Sequence, residues 1–153
     1  MSAVLKPLPR FSPMYPEVLE QVSAIERNIY EFPWTVGNFR DSLGAGYSCW
    51  VCHVEHELVS YAVLMIAAGE AHLLNISVAE SWQGRGFGKR FLDFLLALAG
   101  ERHCERVLLE VRQSNRRARA LYERNRFVQI GVRKEYYPAR TGREDAIVLE
   151  RKL

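Results

Sequence analysis

The stretch Trp82-Gln83-Gly84-Arg85-Gly86-Phe87-Gly88-Lys89-Arg90 constrains this chain more than any other. An apolar run from Leu73 to Val78 arrives just before it, and Phe87, Phe91, Leu95 and Leu98 follow at helical spacing. The pattern predicts a strand, a Gly-rich turn and a helix start. A helix start leaves its first backbone N–H groups without intrahelical acceptors, and the helix dipole adds positive potential there. Gly84, Gly86 and Gly88 carry no Cβ to keep a bulky anion off the backbone, while Arg85, Lys89 and Arg90 add charge. The stretch reads as a pyrophosphate cradle. The competing reading is a Gly-rich connector with solvated charges.

Two common phosphate folds do not fit. A P-loop needs a hydroxyl residue after Gly-Lys to hold Mg²⁺, and Gly88-Lys89-Arg90 has none. A dinucleotide fold wants G-x-G-x-x-G after a first strand, whereas the glycines here run G-x-G-x-G. A net charge of +3 suits an anionic ligand and is too mild for nucleic acid; no Lys/Arg run is interleaved with aromatics. The chain has 153 residues, which predicts one domain over 1–153 with a sizeable core. No apolar stretch reaches the roughly 20 residues of a membrane span, and no signal-peptide pattern opens the chain, so a cytoplasmic protein is expected. Cysteines number three, an odd count. Cys49 and Cys52 sit three apart on a predicted strand and so point to opposite faces, which argues against a redox pair or a zinc site. The four histidines show no ligand spacing, and no metal is expected.

Residues 1–14 are punctuated by Pro7, Pro9 and Pro13 and read as an irregular extension with a short edge strand near Lys6 to Leu8. Pro16 opens a first helix with Val18, Val22, Ile25 and Ile29 on one stripe, and Thr35 caps a second that ends at Gly44 and Gly46. Strands are predicted over 47–54, 57–67 and 71–78, joined by short turns and therefore antiparallel. After the Gly-rich loop and its helix comes a strand over 106–112. It places Val107, Leu109 and Val111 on one face and Leu108 and Glu110 on the other. Ser114-Asn115 caps a helix bearing Ala118, Leu121 and Tyr122; strands over 127–134 and 145–149 come next, with a loop over 136–144 between them. The order β-α-α-β-β-β-α-β-α-β-β predicts an α/β protein: one mixed, mostly antiparallel sheet flanked by helices.

The spacing Gln83-x-x-Gly86-x-Gly88 resembles the acyl-CoA loop of the GCN5-related N-acetyltransferases, and the element order is that family's order. Further stretches resemble the branch of the family that acetylates the N-terminal alanine of ribosomal proteins. They are Phe32-Pro33-Trp34, Asn75-Ile76-Ser77-Val78, Leu109-Glu110-Val111-Arg112-Gln113-Ser114-Asn115, Ala120-Leu121-Tyr122-Glu123, and Tyr136-Tyr137-Pro138 with Gly142-Arg143-Glu144-Asp145-Ala146-Ile147.

The resemblance implies acetyl-CoA as donor, held by Ile76, Ser77 and Val78 through their backbone. It adds Gln83, Gly84, Arg85, Gly86, Phe87, Gly88 and Lys89 at the pyrophosphate, and Asn115 at the next helix. It implies Glu110 as general base and Tyr122 as general acid. Phe32, Trp34, Tyr136 and Tyr137 would wall the slot for the acceptor, the N-terminus of a ribosomal protein, with Glu144 or Asp145 meeting a basic second residue. One position departs from the family, which ends the second helix with Gly where Arg126 stands. Either Asn125 takes the left-handed conformation one residue early, or Arg126 bears roughly 1 kcal/mol of strain. The implied reaction is direct acetyl transfer with no acyl-enzyme. Two rival readings remain open: acetylation of lysine side chains or a small-molecule amine, and a catalytically silent acyl-CoA-binding module.

Overall fold

Period-two burial is plainest over Arg106–Arg112, whose side chains alternate between buried and part-buried. The computed structural model describes residues 7–153. In chain order these form β1 (Arg10–Pro13), a 3₁₀ turn (Pro16–Val18), α1 (Leu19–Ile29), α2 (Val36–Gly44), β2 (Ser48–Val54), β3 (Glu57–Ala67) and β4 (Glu70–Val78). A second 3₁₀ turn (Glu80–Trp82) then leads to α3 (Phe87–Glu101), β5 (Arg106–Arg112), α4 (Arg116–Arg124), β6 (Val128–Pro138) and β7 (Arg143–Lys152). All strands join one sheet in the order β1-β2-β3-β4-β5-β7-β6. Its neighbours are antiparallel except for β4 and β5. The predicted mixed sheet with flanking helices is what forms.

Each sheet face buries its own core. On one, Phe91, Leu92 and Leu95 of α3 and Tyr122 of α4 pack with Leu64, Leu73, Val107, Leu109 and Val111. On the other, Leu19 and Val22 of α1 and Phe39 of α2 pack with Val51, Tyr61 and Val63. Fully burying one such Leu or Phe contributes about 1.5–3 kcal/mol. Cys49 lies in the second core and Cys52 in the first, so the two thiols are separated by the sheet and both are free.

Two irregularities break the regular sheet on β4. β3 and β4 pair Val63 with Asn75 but Leu64 with Leu73, which leaves Leu74 as an extra residue in a β-bulge. Such a slip exchanges the faces of every later side chain. Before the bulge Leu73 joins the α3 core; beyond it Ile76 packs there instead, and Asn75 pairs beside Val63 on the α1 side. Second, β4 and β5 pair only from Glu70–Leu73 against Arg106–Leu109 and then part.

Thr35 caps α2 as expected, accepting from Asn38 N at 3.1 Å while the Asn38 side chain accepts from Thr35 N. Two expectations change. The first strand is Arg10–Pro13, paired with β2 as an edge strand that tolerates Pro13, so residues 10–13 are not an irregular extension. Pro7 and Leu8 lie outside it, and Lys6 lies outside the described residues. The predicted loop over 136–144 is a tight hairpin end: β6 runs on through Tyr136 and Tyr137 to Pro138, and β7 begins at Arg143. Asp145 makes this extension possible by accepting from the Glu135 amide at 2.9 Å, which closes a bulge in β6.

The helix-end question resolves on Arg126. Asn125 has φ −107° and Arg126 has φ +69°, so the arginine takes the left-handed position that favours glycine. Its side chain is exposed. Arg126→Gly is expected to stabilise the fold by about 1 kcal/mol, read as a higher midpoint with unchanged slope in urea unfolding.

Candidate active site at the parting of β4 and β5

Where β4 and β5 separate, the β4 amides and carbonyls that would face β5 have no strand partner, and each needs another. A cavity of ≈ 460 Å³ opens beside them. Ile76, Ser77 and Val78, the turn Gln83 to Lys89 without Arg85, and Asn115, Arg117, Ala118, Leu121 and Tyr122 of α4 and its cap line it. A second cavity of ≈ 310 Å³ holds Glu26, Phe32, Trp34, Leu74, Glu110, Arg112 and Tyr137. The two share Tyr30, Ile76, Asn115, Ala118 and Tyr122, so they meet at the parting of the strands.

The first cavity fits an acyl-CoA pyrophosphate. Gly84 and Gly86 stand at φ +77° and +86°, which aims the turn's backbone in a way L side chains resist. A Cβ built on Gly86 meets nothing within 4 Å, so the space beside that backbone is open. Arg90 is the first amide of the turn and helix start to donate back into α3, to Gly86 O at 3.1 Å. The amides before it have the orphan status that suits an anion at a helix N-terminus. Lys89 adds charge and pairs with Asp93 at 2.7 Å. Gln83 braces the loop: its Nε2 donates to Val78 O at 2.9 Å, and its Oε1 accepts from Arg117 at 3.2 Å.

The second cavity is anchored by a buried carboxylate. Glu26, 2% exposed, accepts at Oε1 from the Tyr61 hydroxyl at 2.6 Å and from Asn75 Nδ2 at 3.2 Å, and at Oε2 from Trp34 N at 2.9 Å. The chain of bonds continues. Ser77 Oγ donates to Asn75 Oδ1 at 2.7 Å and so accepts from the Tyr30 hydroxyl at 2.6 Å. Burial pushes the Tyr30 phenol up to about 12. The Ser77 hydroxyl is therefore a link in the frame that holds β4 beyond the bulge.

Glu110 and Tyr122 both line the second cavity, and Tyr122 also faces the first. Glu110 lies on β5 opposite its core-facing neighbours, with its side chain 10% exposed. Its Oε2 is 2.5 Å from His72 Nε2 and its Oε1 is 3.2 Å from Arg133 Nε. The His72 hydrogen bond holds the carboxyl below its ordinary value against the opposing pull of burial, and the Arg133 charge adds to it. Tyr122 is 6% exposed, and burial pushes its phenol well above the ordinary range. The phenol thus keeps its proton at neutral pH.

Arg112 pins the mouth of the second cavity. It stacks against Phe32 at 5.2 Å and Tyr137 at 4.5 Å, donates to Pro138 O at 2.8 Å and pairs with Glu144 at 3.1 Å.

Four expected site residues lie elsewhere or are otherwise committed. Arg85 stacks over Trp82 at 4.7 Å and lines a neighbouring groove with His56, Glu57 and Arg90 instead of the first cavity. Tyr136 packs its ring 4.9 Å from Tyr137, is 46% exposed and does not line the second cavity. Glu144 is bound by Arg112 and by Ser114 N at 2.8 Å; Asp145 is bound by Lys134 and the Glu135 amide. Both carboxylates are thus already engaged within the chain. Asn115 caps α4 by accepting from Ala118 N at 3.2 Å while lining both cavities. The sequence reading missed Glu26, Tyr30, His72, Asn75, Arg112 and Arg117. Only Arg112 and Asn75 lie inside family-like stretches; the others come together through contacts remote in sequence.

The model of the acetyltransferase (GNAT) family matches residues 16–127. The chain belongs to the GNAT acetyltransferase family. It is an acetyl-CoA-dependent N-acetyltransferase. It is 34% identical over 131 residues to the [ribosomal protein bS18]-alanine N-acetyltransferase of Haemophilus influenzae, covering 85% of this chain and 89% of that one. It is 34% identical over 125 residues to the Escherichia coli K12 enzyme of the same name, covering 82% and 84%. The crystal structure of the ribosomal-protein-S18-alanine N-acetyltransferase from Escherichia coli superposes with a TM-score of 0.89 at 31% identity, over 95% of this chain and 94% of that one. Among the described residues no cluster of three His, Cys, Asp or Glu side chains could hold a metal, and no helix is long and apolar enough to cross a membrane.

Gly86→Glu puts a carboxylate beside the open backbone of the turn. It is expected to abolish acetyl-CoA binding by calorimetry while circular dichroism stays native. Wild-type affinity in that variant would remove the turn from the cofactor site.

Proposed function

We propose that this acetyltransferase modifies the N-terminal alanine α-amine of the small-subunit ribosomal protein bS18, the acceptor named for its 34%-identical relatives. The observation that carries the reading is the junction of two cavities at Tyr122, with glycine backbone on one side and the Glu110 carboxylate on the other. Bound in the first cavity, acetyl-CoA supplies an activated acetyl thioester. Ile76, Ser77 and Val78 offer backbone groups to its acyl arm, and Gly84, Gly86, Phe87, Gly88, Lys89 and Asn115 hold its anionic end. An extended acceptor enters the second cavity between Phe32, Trp34 and Tyr137, in a slot whose aromatic walls admit a small first residue.

Glu110 takes the proton that the attacking amine sheds, directly or through one water, and Tyr122 holds the proton that the departing thiolate needs. The state of Glu110 favours an α-amine as acceptor. A carboxylate held below its ordinary range is a weak base. An α-amine of pKa ~8 is already neutral roughly a quarter of the time at pH 7.5, and a lysine at ~10.4 only about once in a thousand. An acceptor drawn from the ribosome places the enzyme in the cytoplasm.

Tyr122→Phe is expected to lower turnover roughly 10²-fold or more with acetyl-CoA affinity little changed. Glu110→Gln should slow the reaction most at low pH, where the amine most needs a base; an unaltered pH–rate profile would remove Glu110 from that role. For the acceptor, peptides differing only at the first residue are compared with one whose α-amine is blocked but which keeps a lysine. The Ala-first peptide should be fastest. Faster acetylation of the blocked peptide would overturn the α-amine assignment.

A further inference from the structure

His72 stands in the last paired part of β4, opposite Leu108 of β5 and Met65 of β3, immediately before the strands part. Glu110 lies just past the end of that pairing on β5, where its backbone pairs with Val148 of β7. The imidazole reaches diagonally across the fork and meets the carboxylate at 2.5 Å. It is the firmer of the carboxylate's two holders. The His72 side chain is 25% exposed and grows from a strand paired on both sides; Arg133 is 56% exposed, on the edge strand β6, at 3.2 Å.

The protonation pattern is set by the partners. An ionised carboxylate only accepts hydrogen bonds, so the nitrogen facing it, Nε2, carries the proton. That N–H fixes one oxygen of Glu110 and thereby the rotamer that turns the carboxylate toward the acceptor-side cavity. The cavity lining includes Glu110 but not His72, so the histidine acts from behind. Other charged or polar groups near the pair are Arg112 and Tyr137, both at the cavity mouth and engaged with one another.

Accepting the reading of Glu110 as the base, we infer that His72 is its positioning residue, a brace across the strand fork that holds the carboxylate in the geometry needed to receive the acceptor amine's proton. The histidine forms no bond with either substrate.

The test is a double-mutant cycle on the full chain with the Ala-first peptide, joined to ¹⁵N NMR of the imidazole. His72→Ala is expected to lower kcat roughly ten-fold or more, as for loss of a hydrogen bond to a charged group, with acetyl-CoA affinity by calorimetry unchanged. In a Glu110→Gln background the same substitution should cost almost nothing further, because the group it positions is gone. His72→Gln, which keeps an N–H donor, should recover most of the loss. In the wild type the Nε2–H signal should show a strong hydrogen bond that vanishes in Glu110→Ala. Full additivity of the two losses, or equal damage from His72→Gln and His72→Ala, would overturn the positioning role. If Glu110→Gln itself left turnover unchanged, the base assignment would fail instead, so the two failures are distinguishable.

Discussion

The parting of β4 from β5 is the constraint on which the rest depends. A parallel pair that stops at Leu73 and Leu109 leaves a row of β4 backbone groups without a strand. Unsatisfied backbone is costly in an apolar setting and useful beside a polar ligand. The fold meets the demand in part from within: Gln83 caps the Val78 carbonyl. The remaining edge is a ready strand partner for an extended amide-bearing molecule, which describes the arm of acetyl-CoA. The wedge must also be kept open, and α4, with Tyr122 buried against the α3 core, fills its floor.

Holding the wedge open falls to a polar frame on the α1 face. Among the described residues no cation pairs with the buried Glu26 carboxylate; three donors from β3, β4 and the loop after α1 satisfy it instead. Such a network is stable only when every member is paired, because an orphaned charge in that setting costs several kcal/mol. Its members span the elements that must stay in register around the acceptor side. Arg112 does the same at the mouth, where one guanidinium ties Phe32 to the β6–β7 hairpin. The two cavities thus differ in character: the first offers glycine backbone with Lys89 and Arg117, the second the aromatic rings of Phe32, Trp34 and Tyr137 with the carboxylates of Glu26 and Glu110.

Much of the architecture was legible in the sequence because it is local. Alternation in 106–112 marked β5 and its two faces, Thr35 and Asn115 marked helix starts, and the glycine spacing marked the turn before α3. Resemblance supplied candidate roles for Glu110 and Tyr122; both line the second cavity, and Tyr122 also lines the first. The failures are equally specific. Arg85 and Tyr136 were grouped with their sequence neighbours, yet each side chain leaves its cavity. Glu144 at the end of the presumed loop and Asp145 at the start of the last strand looked free, yet Glu144 is tied to Ser114 and Arg112, and Asp145 closes the bulge that lets β6 run on as a hairpin.

The sequence by itself determined the element order, the faces of each regular strand and helix, and the backbone freedom of the Gly-rich turn. These rest on periodicity and on the absence of a Cβ, which are properties of neighbouring residues. Only the tertiary structure decided where β4 bulges. No local signal marks Leu74 as the extra residue, but its slip against Val63 and Leu64 sends Asn75 and Ser77 to Glu26 and Tyr30 and Ile76 to the α3 core. Only the tertiary structure set His72 against Glu110, 38 positions away. Both depend on the register between strands, which is fixed by packing on two faces at once and is invisible to any single stretch of chain.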